Sequence, residues 1–464
     1  MKSHERFIFD SYTFDPKTGY IELHYSLDDE VKFVETIQLP LHTKDTQRRV
    51  ANLDRALFAL HLIGGISYYK TCLPKTMEIR SGTLTSDEAR FWNDVYKNGL
   101  GEFFFKNNID FIGLINFPAG KKNSQNVTRN QEPGTPLCPS HVRDSTGQAR
   151  NQKRLLVPIG GGKDSIVTAE LLKEAGHDVT LLRMNAHPLI DEVAHIAELP
   201  LLTVDRHLSP DLFKLNAEGA LNGHVPITAY LSFLAVIVAM LEGFDAVVMS
   251  NEQSASEGNV EFRGMQINHQ WSKSLAFERS FQQYLRDTVG TDVQYFSLLR
   301  PWSELRIVQE FSKHPQYFHS FTSCNANWKI RKSERGTVMN PSDASGSWYG
   351  ACPKCAFAFL LLSAFLPKEE LLSIFGKNLF EDASLLPLYR ELTGLQGFKP
   401  FECVGTPDES KTAFLLAHRR GDLENTDAMQ MFLNEAAPSI NNHEGLLAKV
   451  FAPSPEHAIP QTFQ

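Results

Sequence analysis

The residues best equipped for chemistry lie in Arg154-Leu-Leu-Val-Pro-Ile-Gly-Gly-Gly-Lys-Asp-Ser165, where an apolar run meets three glycines, a lysine, an aspartate and a serine. A glycine turn between a strand and a helix gathers backbone N–H groups and a helix N-terminus around an anion. Gly160, Gly161 and Gly162 let the main chain approach closely, Lys163 adds positive charge, and Ser165 can cap the helix or donate to a phosphate oxygen. The expected ligand is a nucleotide. The common NTPase loop, G-x-x-x-x-G-K-[ST], is excluded because Asp164 follows Lys163.

A second reactive stretch runs through Ser250-Asn-Glu-Gln-Ser-Ala-Ser-Glu-Gly-Asn259 and Asn268-His-Gln-Trp-Ser-Lys-Ser274. Glu252, Glu257 and Glu261 offer the oxygen ligands that Mg²⁺ takes, or bases. His269 and Lys273 suit proton transfer or the holding of an anionic substrate. Arg183, Arg300 and Arg306 are further candidates for anion binding, each near the expected end of a strand. Cys324 and Cys352-Pro-Lys-Cys355 supply three thiols where a structural zinc usually takes four ligands, so no metal site is assigned to them.

These groups need a scaffold, and apolar periodicity supplies one. Strands are expected at 155–159, 179–183, 201–204, 246–250 and 293–298, with helices at 166–175, 191–199, 226–241 and 271–289 between and after them. Such alternation predicts a doubly wound α/β fold, a parallel five-stranded sheet covered on both faces, with ligands beyond the carboxyl ends of its strands. Residues 1–117 read as an α+β domain that starts with antiparallel strands around Phe7–Phe9 and Tyr20–Tyr25. Residues 118–153 read as a polar linker, 154–320 as the nucleotide domain, and 321–464 as a cysteine-containing, mainly helical region.

Composition narrows the partners. With 464 residues the chain is long enough for two or three domains with sizeable cores. A net charge of −8 and a pI of about 6.1 speak against nucleic acid as a general partner, since phosphate neutralisation needs a basic face. The longest apolar run, Ala229 to Leu241, is too short for a bilayer span, and no signal peptide is evident at Met1-Lys-Ser-His-Glu-Arg6. Six cysteines are too few for a disulfide scaffold, so a cytoplasmic setting away from the membrane is expected.

Gly160-Gly-Gly-Lys-Asp-Ser165 resembles the S-G-G-x-D-S loop of the PP-loop, N-type ATP pyrophosphatases, with Gly160 in place of the first serine. Cys324 and Cys352–Cys355 are similar to the zinc element of 7-cyano-7-deazaguanine synthases, with Tyr349 where that family has a further cysteine. Tyr68-Tyr-Lys70, Gly99-Leu-Gly-Glu-Phe103, Gly223-His-Val-Pro-Ile-Thr228 and the two polar motifs at 250–256 and 268–274 look more specifically like the ATP-dependent UDP-N-acetylmuramoyl-L-alanyl-L-glutamate epimerases. That resemblance implies an anionic UDP-sugar dipeptide as substrate, inversion of its terminal L-glutamate, ATP and Mg²⁺ as cofactors, and AMP and pyrophosphate as products. It places Gly160, Gly161, Gly162, Lys163, Ser165, Arg183 and Asn251 on the nucleotide, and Lys163, Asp164, Glu252, His269 and Lys273 in catalysis. Two alternatives remain: another adenylating enzyme that forms a nitrile or amide, or a non-catalytic adenine-nucleotide-binding protein.

Overall fold

The computed structural model describes residues 4–41, 52–120, 152–324 and 348–463, together with the short strands Arg331–Lys332 and Val338–Met339. Most of the expected linker, 121–151, lies outside the described residues. The expected antiparallel pair at the start of the chain is β1 (Arg6–Asp15) and β2 (Tyr20–Leu27), followed by β3 (Val31–Gln38) and β4 (Thr76–Ile79). The alternating segment contributes β5 (Arg154–Pro158), β6 (Asp178–Met184), β7 (Leu201–His207) and β8 (Ala246–Met249). A small hairpin, β9 (Val260–Phe262) and β10 (Met265–Ile267), precedes β11 (Gln294–Ser297).

Strands β11, β8, β5, β6 and β7 pair in parallel in that order. They match the five expected positions, but the sheet does not stop at five. β3 pairs antiparallel with β7 through Thr36–His207, Ile37–Arg206 and Gln38–Asp205, so β3, β2, β1 and β4 extend it to nine strands. The physical reason is edge satisfaction: β7 would otherwise end the parallel set with an open row of N–H and C=O groups. A buried ion pair reinforces this seam. Glu35 of β3 accepts from Arg206 Nε at 2.8 Å and Nη2 at 3.1 Å, from Tyr230 Oη at 2.8 Å and from Tyr68 Oη at 2.9 Å.

Alternate residues of the central strands enter two apolar layers, as a sheet covered on both faces requires. Leu155, Val157, Leu181 and Val248 pack with the helices Lys163–Glu174, Pro188–Ala197 and Glu304–Phe311 and with the C-terminal helices. Leu156, Leu182, Val247 and Met249 pack on the opposite face with Leu53–Gly64, Ile227–Glu242 and Leu275–Tyr284. Among the described residues no helix is long and apolar enough to cross a membrane; the apolar run at 229–241 is the interior of Ile227–Glu242.

Two local expectations need revision. The segment 271–289 is broken into a 3₁₀ turn at Trp271–Lys273, a helix at Leu275–Tyr284 and a π-helical turn at Leu285–Val289. Ser274 causes the first break: its Oγ accepts from Phe277 N at 3.2 Å and starts a new helix. The loop at 251–269 contains β9–β10, turned at Arg263 and Gly264, both at positive φ, the geometry of a tight hairpin turn.

Candidate functional site

Chain order runs outward from β5 in both directions, to β6 and β7 on one side and to β8 and β11 on the other. The crevice at the carboxyl end of β5 is therefore the switch point where ligands of such sheets bind. The glycine loop occupies it. Gly161 has φ +74°, the left-handed region that favours glycine, and a Cβ there would lie 2.4 Å from Leu189 Cδ2, so any other residue would also displace that side chain. Gly161 O accepts from Thr322 N at 3.0 Å, which fixes the loop. Gly162 is the N-cap of Lys163–Glu174 and supplies no side-chain cap, which leaves the first-turn N–H groups to an anion. Ser165 Oγ donates to Gly162 O at 3.1 Å.

Lys163 does not project freely towards a phosphate. Its ammonium, 4% exposed, bridges the carboxylates of Asp164 and Glu304. Glu304 is the first residue of Glu304–Phe311, where the helix N-terminus favours its charge, and Lys354 Nζ stands 3.8 Å from its other oxygen. Burial alone would raise the Glu304 carboxyl, but Lys163 and Lys354 overcome this and hold it ionised. The same two carboxylates outweigh the burial of Lys163 and raise its pKa. Asp164, Glu252 and Glu304 each bring an oxygen within 4.8 Å of the others. Burial first, and then the Glu304 charge, push the Glu252 carboxyl up, against the opposing pull of Lys273. Three clustered carboxylates beside a glycine turn are a donor set suited to a hard cation.

The loop after β8 reaches this cluster because Arg300, 1% exposed, holds it. Its guanidinium donates to Glu278 Oε2 at 3.0 Å, Glu252 O at 2.6 Å and Lys273 O at 2.5 Å. Arg300 is thus a girder rather than an anion ligand. Asn251 is fixed through its backbone, N donating to Ser297 Oγ at 2.5 Å and O accepting from the same hydroxyl at 2.7 Å. Gln270, 3% exposed, has neither Oε1 nor Nε2 hydrogen-bonded to the protein among the described residues. Buried polar groups left in this condition commonly meet water or ligand.

Beyond Lys273 lies a second group of charges that sequence reading only half identified. His269 Nδ1 contacts Glu102, His224 Nδ1 lies 3.5 Å from the same carboxylate, and the two imidazoles stand 4.6 Å apart. Lys273 Nζ donates to Cys403 Sγ at 3.4 Å, and Lys354 Nζ to Cys403 O. Burial would raise the Cys403 thiol, but Lys273, His269 and Lys354 lower it to about 6. Burial would lower His269, but Cys403 and Glu102 raise it to about 9. Asn259 brings Cys403 to this place: its Nδ2 donates to Lys399 O at 3.1 Å and Pro400 O at 2.8 Å. Phe401 packs against Phe105 at 5.2 Å. Glu102 lies within the Gly99–Phe103 motif, whereas Cys403 belongs to none.

Other candidates stand apart from these clusters. Arg183, at the end of β6, spends its guanidinium on Asp191 at 2.8 Å, Thr203 Oγ1 at 2.9 Å and His187 O at 3.1 Å. Glu257 and Glu261 are exposed, and Arg306 lies over the Trp302 ring at 5.4 Å. Cys324, Cys352 and Cys355 do converge, with Sγ separations of 3.7 and 3.3 Å along the series, while the Tyr349 side chain is half exposed.

Almost the whole chain has counterparts among known proteins. Residues 1–298 match the family model described as the MurL N-terminal domain, and residues 320–446 match that of the MurL C-terminal domain. A UDP-N-acetyl-alpha-D-muramoyl-L-alanyl-L-glutamate epimerase from Xanthomonas oryzae pv. oryzae is 38% identical over 447 residues, 96% of this chain and 93% of the relative. One of the same description from Salinispora tropica is 38% identical over 453 residues, 97% of this chain and 92% of the relative. A 7-cyano-7-deazaguanine synthase from Sulfolobus acidocaldarius is 30% identical over 171 residues, 30% of this chain and 34% of the relative.

Proposed function

Since the chain belongs to the MurL family along almost its whole length, we propose that it inverts the terminal L-glutamate of UDP-MurNAc-L-alanyl-L-glutamate, with ATP as co-substrate and AMP and pyrophosphate as products. The parallel half of the sheet is, in this reading, of the PP-loop ATP pyrophosphatase type. The observation that carries the nucleotide part is the Gly160–Ser165 turn at the switch point, with Asp164, Glu252 and Glu304 gathered beside it. Its peptidoglycan-precursor role follows from the substrate named for its relatives.

The chemical logic begins with the substrate. Removing a Cα proton beside an ionised carboxylate puts a second negative charge next to the first. Adenylation of the α-carboxylate neutralises it and lets the developing charge spread onto an acyl oxygen that donors can stabilise. Gly161, Gly162 and Ser165 would hold phosphate oxygens at the helix N-terminus, and Lys163 would add charge from its seat between Asp164 and Glu304. The three carboxylates fit Mg²⁺, which supplies neutralisation of phosphate charge when bound. Asn251 and Arg183 stand at the ends of β8 and β6, and Glu252, His269 and Lys273 would face the substrate. Proton removal on one face, return on the other, and hydrolysis of the acyl adenylate complete the cycle.

The test is incubation with the UDP-MurNAc-dipeptide, ATP and Mg²⁺ in deuterium oxide, with assay of AMP, pyrophosphate and the chirality and deuterium content of the glutamate. Deuterated D-glutamate with AMP is expected, and Lys163→Ala should lower AMP formation about 10²–10³-fold, as for loss of one preorganised electrostatic group. AMP that forms only with added ammonia would point instead to a nitrile- or amide-forming enzyme. ATP binding without pyrophosphate release would leave a nucleotide sensor.

A further inference from the structure

We propose that Cys403 Sγ is the acceptor of the glutamate Cα proton on one face of the substrate, a role that rests on the epimerase reading above. The case starts from which groups near the glycine loop can accept a proton. Lys273 and His269, the basic side chains that the 268–274 motif offers, are both committed as cations. Burial would lower Lys273, but Cys403 and Glu252 raise it well above its ordinary value, and His269 is held by Cys403 and Glu102. Each therefore keeps its proton at neutral pH. Glu252, whose carboxyl burial pushes up to about 7, and His224, which burial lowers to about 4 and so leaves neutral, can take a proton elsewhere in the site, and the group that both Lys273 and His269 face is the Cys403 sulfur.

The position suits the role. Cys403 is half-buried, and its sulfur lies 3.4 Å from Lys273 Nζ. Lys273 touches Cys403 on one side and faces Glu252 and Asp164 on the other, which places the sulfur across a single ammonium from the carboxylates at the glycine loop. Lys354 adds charge from the start of Pro353–Ser363, and Lys399 from the same loop as Cys403. Glu102 and the neutral His224 lie behind His269, but the groups that act most on the sulfur, Lys273, His269 and Lys354, are cations, and they hold it as a thiolate at neutral pH, its pKa lowered to about 6. In the step itself the thiolate lone pair forms an S–H bond, and the C–H pair stays on the substrate as the enolate of the acyl adenylate. A solvent-derived proton then adds to the opposite face, and the Cys403 thiol gives its proton to solvent, which regenerates the thiolate with no net change in protons.

Cys403→Ser and Cys403→Ala separate this step from adenylation. ATP–pyrophosphate exchange with the dipeptide reports adenylation, while Cα deuterium uptake and D-glutamate report proton transfer. We expect exchange to persist while deuterium uptake and D-glutamate fall about 10²–10⁴-fold, the range for loss of a general base. D-glutamate formation within threefold of the parent would overturn the proposal, as would loss of both activities in a folded variant. Site-resolved iodoacetamide labelling against pH gives a readout independent of turnover. An inflection near 6 that moves up in Lys273→Met supports the thiolate, and one near the ordinary cysteine value of about 8.5 refutes it. A parent protein that forms neither AMP nor D-glutamate would instead refute the epimerase reading, and the labelling curve would still report on Cys403.

Discussion

Replacing Glu35 by leucine should destabilise the protein by about 3–5 kcal/mol, the usual cost of stranding one partner of a buried ion pair. Glu35 is fully buried and accepts four hydrogen bonds, two from Arg206 and one each from Tyr68 and Tyr230. Without the carboxylate, the Arg206 guanidinium keeps the face of the Tyr230 ring, 3.6 Å away, and the nearby Tyr68 hydroxyl as its partners among the described residues. A cation–π contact is worth about 2 kcal/mol when desolvated, too little to offset the desolvation of a charge. Arg206→Met should cost a similar amount by stranding the carboxylate. The double variant Glu35→Leu/Arg206→Met should cost far less than the sum, because two apolar side chains can fill the space without buried charge. Chemical denaturation followed by circular dichroism measures all three. Hydrogen exchange locates the effect, with protection lost first in β1–β3, since the pair holds β3 to β7. Single variants within about 1 kcal/mol of the parent, or strictly additive costs, would refute the reasoning.

At the glycine loop, Gly161→Ala should lower pyrophosphate release about 5–30-fold, because alanine at φ +74° costs about 1–2 kcal/mol and its Cβ displaces the Leu189 side chain; a pyrophosphate assay on the folded variant checks this. Epimerisation should rise as pH passes about 6, where the depressed Cys403 thiol ionises. It should fall again as pH passes about 9, where His269, held protonated below that value, loses its charge. A pH–rate profile of D-glutamate formation, flat from 5 to 10, would contradict both limbs.

The parallel half of the fold was legible because its strands are short apolar runs and its helices carry turn and cap signals at their ends. Gly243 and Gly290 each end a helix in the left-handed conformation that favours glycine, and Gly162 starts one. The junction between β3 and β7 was not legible. Its determinants, Glu35 and Arg206, are 171 residues apart, and each alone reads as an ordinary surface charge, Arg206 beyond the end of the expected strand at 201–204. Nor was the break at Ser274 anticipated, because apolar residues continue at helical spacing through it and the competing signal is one serine hydroxyl.

The site divides along the same line. The glycine loop is local, and strand, turn and helix N-terminus follow from a dozen contiguous residues. Cys403 lies 130 residues from Lys273 and 49 from Lys354, in a stretch without a motif of its own. A usable signal did exist within Cys352-Pro-Lys-Cys355, which reads as a metal half-site, yet the residue that reaches the candidate active site is the lysine between the cysteines. Lys354 also explains why the two charge clusters cannot act separately: it bonds Cys403 O and stands 3.8 Å from Glu304, which is bridged to Lys163 at the glycine loop. Cation and anion alternate from the phosphate end to the sulfur. On the proposed function, the charge of a nucleotide at the glycine loop would act on the same lysines that hold Cys403 ionised, because buried charges are screened little by salt.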